Sequence, residues 1–200
     1  MKNVFPIALG AAVLSVLAAP AHANLMSTGL SCDNGNVMVT GMASGALACS
    51  GTFSGNDTPQ QSDVLAQLAV DFGSILGAGA TFTVLGKSDD ANSGPFASSL
   101  EGSTSGTLTF DTPQTGYFAV TLKAANSFST YLFDGGSTGL TSIQFSTMGT
   151  AINKNGKLQG LSHATLIDIG TVTPVPEPET YALMLAGVGV VGFLARRGKR

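Results

Sequence analysis

Few side chains in this sequence have the chemistry of a catalytic group. Beyond residue 23 the chain has one histidine, His163, which with Asp168 and one of many serines has the residue types of a Ser-His-Asp triad. His163 directly precedes a predicted strand. We therefore interpret it as a hydrogen-bonding residue at a strand end and predict that the protein is not an enzyme.

Paired carboxylates are a second catalytic possibility, because glycoside hydrolysis needs two acids facing each other across a cleft. Asp89 and Asp90 are adjacent, and neighbouring side chains of an extended chain point to opposite faces. The absence of tryptophan weakens a sugar-stacking platform, although Tyr117 or Tyr131 could substitute. A carbohydrate-binding module thus remains an alternative function, and a secreted hydrolase is a weaker one.

The segment 88–94 is rich in side-chain oxygens. Asp89, Asp90 and Asn92 make it a weak candidate site for Ca²⁺, which prefers carboxylate and carbonyl ligands. The spacing differs from the twelve-residue EF-hand loop, which ends in glutamate. We favour a solvated turn here and predict neither a metal site nor a cofactor.

The two cysteines, Cys32 and Cys49, lie close together in the sequence. In an exported chain an even cysteine count favours a disulfide. The loop would span about 18 residues, for which chain entropy gives roughly 3 kcal/mol of stabilisation. A metal site is less favoured because neither a histidine nor a third cysteine is nearby; two free buried thiols are the other alternative.

The elements that position these residues are mostly strands. Alternating apolar and polar residues with Gly and Asp turns predict an antiparallel β-sandwich or jelly-roll-like body. Apolar residues at helical spacing predict one short amphipathic helix over 60–72, with Thr58 as a possible N-cap and Pro59 early in the first turn. The predicted strands are 37–42, 80–85, 106–110, 117–123, 128–133, 140–147 and 164–169, with a turn at 111–116.

Composition and charge narrow the class of function. Charged residues are 10% of the chain, against roughly 25% in an average globular domain. Residues 24–173 hold four lysines and ten acidic side chains, for a net charge of −6. An acidic body argues against a nucleic-acid partner, which needs a basic face.

The N-terminal end is predicted to be a signal peptide over residues 1–23. Lys2 supplies the positive start, an apolar stretch follows, and Ala21 and Ala23 form a small-x-small cleavage site. Cleavage is expected between Ala23 and Asn24. An uncleaved anchor is the alternative, although the apolar stretch is short for a membrane span.

The C-terminal end, residues 174–200, divides into three blocks. Alternating prolines make 174–179 a stiff, extended stalk, because proline fixes φ and biases its predecessor to extended geometry. Residues 181–195 are uncharged and predict a single transmembrane helix, although a comfortable span needs about 20 residues. A basic stop-transfer cluster over 196–200 follows and is expected to stay cytoplasmic. Its members are Arg196, Arg197, Lys199 and Arg200.

These blocks resemble the PEP-CTERM sorting signal. The resemblance rests on Pro176, Glu177 and Pro178, the short apolar segment and the terminal basic cluster, in that order. It implies a Gram-negative bacterium that makes extracellular polysaccharide and a membrane enzyme, exosortase, that recognises the tripeptide and processes the tail. An ordinary C-terminal anchor behind a proline-rich linker is the alternative.

The domain organisation expected from the sequence is therefore a signal peptide, a β-rich extracytoplasmic domain over 24–173 and a sorting tail over 174–200. We expect an exported protein, held transiently in the inner membrane with its body in the periplasm. It is then placed at the cell surface or secreted. The predicted role is a non-enzymatic surface or matrix protein associated with exopolysaccharide or biofilm.

Overall fold

The computed structural model describes residues 25–33, 37–39, 45–77 and 79–170, and within these ranges it is mainly β. Nine strands and two helices follow one another along these ranges. The strands are β1 (Met26–Ser27), β2 (Val37–Val39), β3 (Ala48–Ser54), β4 (Thr81–Lys87), β5 (Ser105–Gln114), β6 (Tyr117–Ala124), β7 (Ser127–Asp134), β8 (Leu140–Ser146) and β9 (Leu161–Gly170). The helices are α1 (Gln61–Asp71) and α2 (Gly73–Leu76).

The larger sheet has six antiparallel strands in the order β1-β3-β7-β6-β9-β4. The hairpin of β6 and β7 lies at its centre, and β9 returns from the C-terminal side of the chain to pair with β6. Both central strands are buried along almost their whole length. Alternate side chains of these two strands therefore point into two different cores, one on each face of the sheet. Neither face of the central strands is turned to solvent.

The smaller sheet has three antiparallel strands in the order β2-β8-β5. Inward side chains of β5 and β8 pack with one face of the larger sheet in a single apolar cluster. Rings dominate this cluster, with Phe118 stacked on Phe133 at 5.3 Å and edge-on to Phe110 at 5.5 Å between centroids. The cluster also contains Leu108, Val120, Leu122, Tyr131, Leu140, Ile143, Phe145, Leu161, Ala164 and Leu166.

Helix α1 covers the opposite face of the larger sheet. Val64 and Leu68 of α1, followed by Phe72, pack on the sheet residues Ala119, Phe128, Leu132, Ile167 and Ile169. Ser50 of β3 donates a hydrogen bond of 2.5 Å to the Asp71 carboxylate, which ties the end of the helix to the sheet.

The start of α1 differs from the sequence expectation. The helix begins at Gln61 with Gln60 at the N-cap position and without a side-chain capping bond, so the prediction of Thr58 as cap is wrong. The backbone turns before the helix begins, since Gln61 N donates to the carbonyl oxygen of Thr58 at 3.3 Å. The short α2, directly after α1, was also not predicted.

A strand is found at each predicted position within the described residues, and β5 and β9 are longer than expected. Residues 40–42 of the first predicted strand lie outside the described residues. The turn predicted at 111–116 is wrong for residues 111–114, because β5 continues to Gln114, which pairs with Leu140. Its outer edge is also bonded, as Asp111 N donates to Pro95 O at 3.1 Å. Strand β3 was not predicted, since its Gly- and Ser-rich sequence lacks an alternating apolar pattern.

Cys32 and Cys49 form a disulfide, with their Cα atoms 6.1 Å apart. Cys49 lies in β3, and both sulfurs border the apolar cluster between the sheets. The bond therefore joins the first described segment, residues 25–33, to an inner strand of the larger sheet, and confirms the predicted pairing.

The fold is thus mainly β with antiparallel sheets and few helices, as predicted. The more detailed description of the body as a β-sandwich or jelly roll stays a prediction. The predicted signal peptide with Ala21, Ala23 and Asn24, and the predicted transmembrane segment 181–195, lie outside the described residues. Within the described ranges, no helix combines the length and apolar character that crossing a bilayer would require.

Candidate functional site

A buried polar cluster lies on the helix-covered face of the larger sheet, beside the start of α1. Its centre is the carboxylate of Asp57, in the loop between β3 and α1. His163 Nε2 donates to Asp57 Oδ1 at 2.9 Å, and Thr165 Oγ1 donates to Oδ2 at 3.0 Å. Asp57 and His163 are each 6% exposed. Because an ionised carboxylate only accepts hydrogen bonds, this contact places a proton on Nε2 of the ring.

The electrostatics of Asp57 follow from these contacts. Burial raises the pKa of Asp57, but the hydrogen bond from His163, the charge of that ring when protonated, and the bond from Thr165 outweigh it, so the pKa is lowered. Asp57 is therefore a carboxylate at neutral pH, and it fastens the β3–α1 loop to β9.

Lys123, at the end of β6, is the Cα partner of His163 across the β6–β9 ladder and is also buried. Its Nζ donates to the carbonyl oxygen of Ala125. Burial lowers the pKa of Lys123, and the negative charge of Asp57 partly opposes that shift. A lysine, a histidine and a carboxylate thus lie close together, each with a mostly buried side chain.

A β-bulge brings a second lysine to this face of the sheet. Val84 pairs with Ile167, but Gly86 pairs with Leu166 and Lys87 with Thr165, so β4 contains one extra residue. A shift of one residue moves a side chain to the other face of a strand. The bulge therefore places Lys87 on the same face as Thr165 and His163, where regular pairing would have pointed it away.

The loop after β4 brings Asp89 to the cluster. Asp89 Oδ2 lies 3.5 Å from His163 Nδ1, and Lys87 Nζ lies 3.6 Å from Asp89 Oδ1. Gly94 closes this loop with φ 57°, and a Cβ there would collide with the carbonyl oxygen of Lys87. Only glycine meets both the positive φ and the close backbone approach.

These residues enclose a polar depression of about 490 Å³, which we call the His163 depression. Its walls come from the β3–α1 loop, the end of β4 with the loop that follows, and the ends of β6 and β9. The lining residues are Asn56, Thr58, Pro59, Lys87, Asp89, Lys123, Ser162 and His163. A smaller, mainly apolar cavity of about 80 Å³ shares Thr58 and Lys87 with it and extends under α1.

The Ca²⁺ candidates Asp89, Asp90 and Asn92 do not turn their oxygens to one point. Asp89 faces Lys87 and His163, whereas the Asp90 carboxylate accepts the backbone N–H of Lys87 at 2.7 Å. Asn92 adopts φ 56° within a short 3-10 turn. Among the described residues, no group of three or more His, Cys, Asp or Glu side chains is placed to hold a metal ion.

The triad suggested by His163 and Asp168 does not form. His163 is the third residue of β9 and not a residue before the strand, and Asp168 is an exposed residue five positions further along, on the opposite face. The contacts of the His163 ring are with the carboxylates of Asp57 and Asp89, and among the described residues no serine hydroxyl is hydrogen-bonded to it.

The spacing Gly-x-Ser-x-Gly of a nucleophilic serine does occur, at residues 135–139. These residues form the connection between β7 and β8, two antiparallel strands, and not a strand-to-helix turn. Tyr117 and Asp134 pair at that end of the sheet, whereas Lys123 and His163 pair at the other. Six residues of strand, about 20 Å, separate the two ends.

The tyrosines proposed for sugar stacking are also placed differently from expectation. Tyr131 is fully buried in the apolar cluster between the sheets, so its ring cannot serve as a surface platform. Tyr117 is half-buried and packs against the cluster under α1.

Sequence reasoning did not identify Asp57 and Lys123. The only local signal for Asp57 was its position in a polar loop before Pro59.

Comparison with known proteins finds a sorting motif in the part of the chain that follows this domain. Residues 174–200 match the family model of the PEP-CTERM protein-sorting motif. The chain is a PEP-CTERM domain-containing protein. No curated protein and no solved structure matches it.

The PEP-CTERM match has direct consequences for the route of this protein. A chain with this motif is exported, is anchored at the membrane by its C-terminal tail and undergoes exosortase-related processing. The matched range includes the tripeptide Pro176, Glu177 and Pro178 and the basic cluster at 196–200. All of these tail residues lie outside the described residues.

Proposed function

We propose that the protein is a non-enzymatic surface or extracellular-matrix protein that stays close to exopolysaccharide or biofilm after export. The carrying observation is the PEP-CTERM motif at 174–200, placed behind a β-rich body closed by a disulfide. In this proposal the tail holds the body in the periplasm of a Gram-negative cell until it is processed. A transmembrane helix over 181–195 and an N-terminal signal peptide are parts of the same proposal.

Features of the body support a role outside the cytoplasm and without catalysis. Disulfides persist in oxidising compartments, and the bond between Cys32 and Cys49 joins two parts of the body. His163 uses Nε2 to bind Asp57, and its Nδ1 lies 3.5 Å from the Asp89 carboxylate. Among the described residues, no serine hydroxyl is hydrogen-bonded to this ring. A β-sandwich with few surface charges would suit a protein that spaces or links polymers.

A carbohydrate-binding module is the second candidate function. The observation that favours it is the His163 depression, whose lining is polar and whose volume of about 490 Å³ lies in the range of small-molecule sites. The buried position of Tyr131 weighs against binding by aromatic stacking. A secreted hydrolase finds less support, because a triad needs a serine hydrogen-bonded to His163, and among the described residues the ring is hydrogen-bonded to Asp57 instead.

Fractionation of cells tests the proposal. We would express the full chain in a host with exosortase and follow it with an antibody against the body. A triple variant, Pro176→Ala with Glu177→Ala and Pro178→Ala, should accumulate in the membrane at the mass of the unprocessed tail. The unchanged protein should lose its tail and reach the surface or the medium together with extracellular polysaccharide.

Val175→Ala, which changes the stalk beside the tripeptide, is the matched control and should be processed normally. A cytosolic full chain with both termini intact would contradict the route. Normal export with equal recovery of the protein from polysaccharide-producing and polysaccharide-deficient cells would contradict the matrix association. Shortening of the polymer by the purified protein would contradict a non-enzymatic role.

A further inference from the structure

We propose that the His163 depression binds a saccharide unit that carries one carboxylate, such as a hexuronic acid residue. This inference rests on the proposed function and specifies which polymer the body would contact. It follows from the charge, the hydrogen-bonding groups and the shape of the depression.

The first argument is the concentration of basic side chains. The described residues contain four lysines and one histidine, and two of the lysines and the histidine line this single depression. Lys154 and Lys157 lie elsewhere, in the turn before β9. In a body with a net charge of −6 over residues 24–173, such a local concentration of positive charge favours an anionic ligand.

The second argument is which charged side chains line the depression and which do not. Asp57 contacts His163 but does not line the depression, and its oxygens are occupied by His163 and Thr165. Lys87 and Lys123 belong to the wall, against one carboxylate, Asp89. Apart from the imidazole, the lining therefore carries one net positive charge, which suits a monoanion better than a phosphate dianion.

The third argument is the rest of the lining. Asn56, Thr58 and Ser162 offer an amide and two hydroxyls, which can both donate and accept hydrogen bonds. This combination matches a sugar ring, whose hydroxyls also do both. Small-molecule sites usually occupy about 300–1,000 Å³. The depression, at about 490 Å³, therefore has room for one or two rings.

The fourth argument is that the floor is fixed before a ligand arrives. Asp57 binds His163 and Thr165 of β9, and the Asp90 carboxylate holds the Lys87 backbone at 2.7 Å. The bulge in β4 sets the direction of the Lys87 side chain. Prearranged groups lose little conformational entropy on binding.

Isothermal titration of the full chain, purified in mild detergent, tests the site. The probes are galacturonate oligomers of three to six units, neutral glucose oligomers of the same length, and sulfated oligosaccharides. We expect binding of the galacturonate oligomers that weakens with added NaCl, and at least about tenfold weaker binding of the neutral series, since hydrogen bonds to charged groups would be lost. Equal affinity for the neutral series would overturn the assignment, as would stronger binding of the sulfated ligands.

Substitutions locate the site. Lys87→Gln should weaken galacturonate binding by about tenfold, whereas Asp89→Asn should strengthen it by about threefold, because a like charge beside Lys87 is removed. These opposite signs are not expected if the two residues only maintain the fold. The double variant Lys154→Gln with Lys157→Gln removes two positive charges, against one in Lys87→Gln, and should still stay within about twofold of the unchanged protein.

The outcomes separate the site from the proposed function. Equal weakening by Lys87→Gln and by the double variant would mean nonspecific attraction and would overturn the site. Absence of binding, combined with normal tail processing and matrix association, would also overturn it and leave the proposed function intact. If the protein binds galacturonate oligomers as expected but fails to associate with the matrix, the site is supported and the proposed function is contradicted.

Discussion

Asp57 accepts a hydrogen bond of 2.9 Å from His163, although 106 residues separate the two along the chain. The contact joins the loop before α1 to the third residue of β9 and lies next to the buried Lys123. It stabilises one wall of the His163 depression, and it makes Asp57 the residue whose removal should disturb the site most.

We expect Asp57→Asn to lower the free energy of unfolding by about 3 kcal/mol, because it removes the buried carboxylate that accepts hydrogen bonds from His163 and Thr165. Urea denaturation of the exported chain, followed by circular dichroism, measures the change. The matched control is Asp168→Asn, which removes an exposed carboxylate from the same strand as His163 and should change stability by less than about 0.5 kcal/mol. Equal effects of both variants would contradict the role given to Asp57.

Stability should fall in acid because of the same residue. The pKa of Asp57 is lower in the folded protein than in the unfolded chain, where an aspartate titrates near about 3.9. Below that pH the unfolded chain takes up a proton that folded Asp57 does not, so the equilibrium moves towards unfolding. The stabilisation is thus complete above about pH 5 and declines as the pH falls towards the folded pKa.

The free energy of unfolding, measured between neutral and acidic pH, checks this sign. Asp57→Asn should lack this part of the decline, so the difference between it and the unchanged protein should shrink in acid. Asp168→Asn should follow the pH profile of the unchanged protein. A difference that grows on acidification would mean that Asp57 is destabilising as a carboxylate.

Reduction of the disulfide should destabilise the body. Opening the link between Cys32 and Cys49 restores freedom to the unfolded chain, with an expected loss of about 3 kcal/mol. Denaturation midpoints with and without dithiothreitol measure it. In the double variant Cys32→Ser with Cys49→Ser the reductant should have no further effect, and a continued response would show that it acts elsewhere.

Two residues of the same helix test how α1 packs. Leu68 is 1% exposed against the sheet, and Val70 is 75% exposed. Leu68→Ala should cost about 2–5 kcal/mol through lost burial and a cavity, whereas Val70→Ala should stay within about 0.5 kcal/mol. Thermal unfolding of the two variants gives the comparison, and similar costs would mean that α1 does not use this face.

Much of this protein is visible in local sequence. The order of a proline block, an apolar block and a basic end defines the PEP-CTERM tail without any tertiary information. Period-2 alternation in residues 117–133 predicts the central hairpin, and helical spacing after residue 60 predicts α1, because both patterns report which side of an element is buried. An even cysteine count in an exported chain was enough to predict the disulfide.

The site depended on the tertiary structure. Asp57 and His163 meet only because β9 returns to the centre of the sheet, and no spacing in the sequence encodes a contact across 106 residues. Lys87 reaches the depression because one extra residue in β4 reverses the direction of its side chain, and a period-2 pattern cannot show such a register shift in advance. Local patterns determine which elements form, whereas strand order and register decide which charged side chains share a cavity.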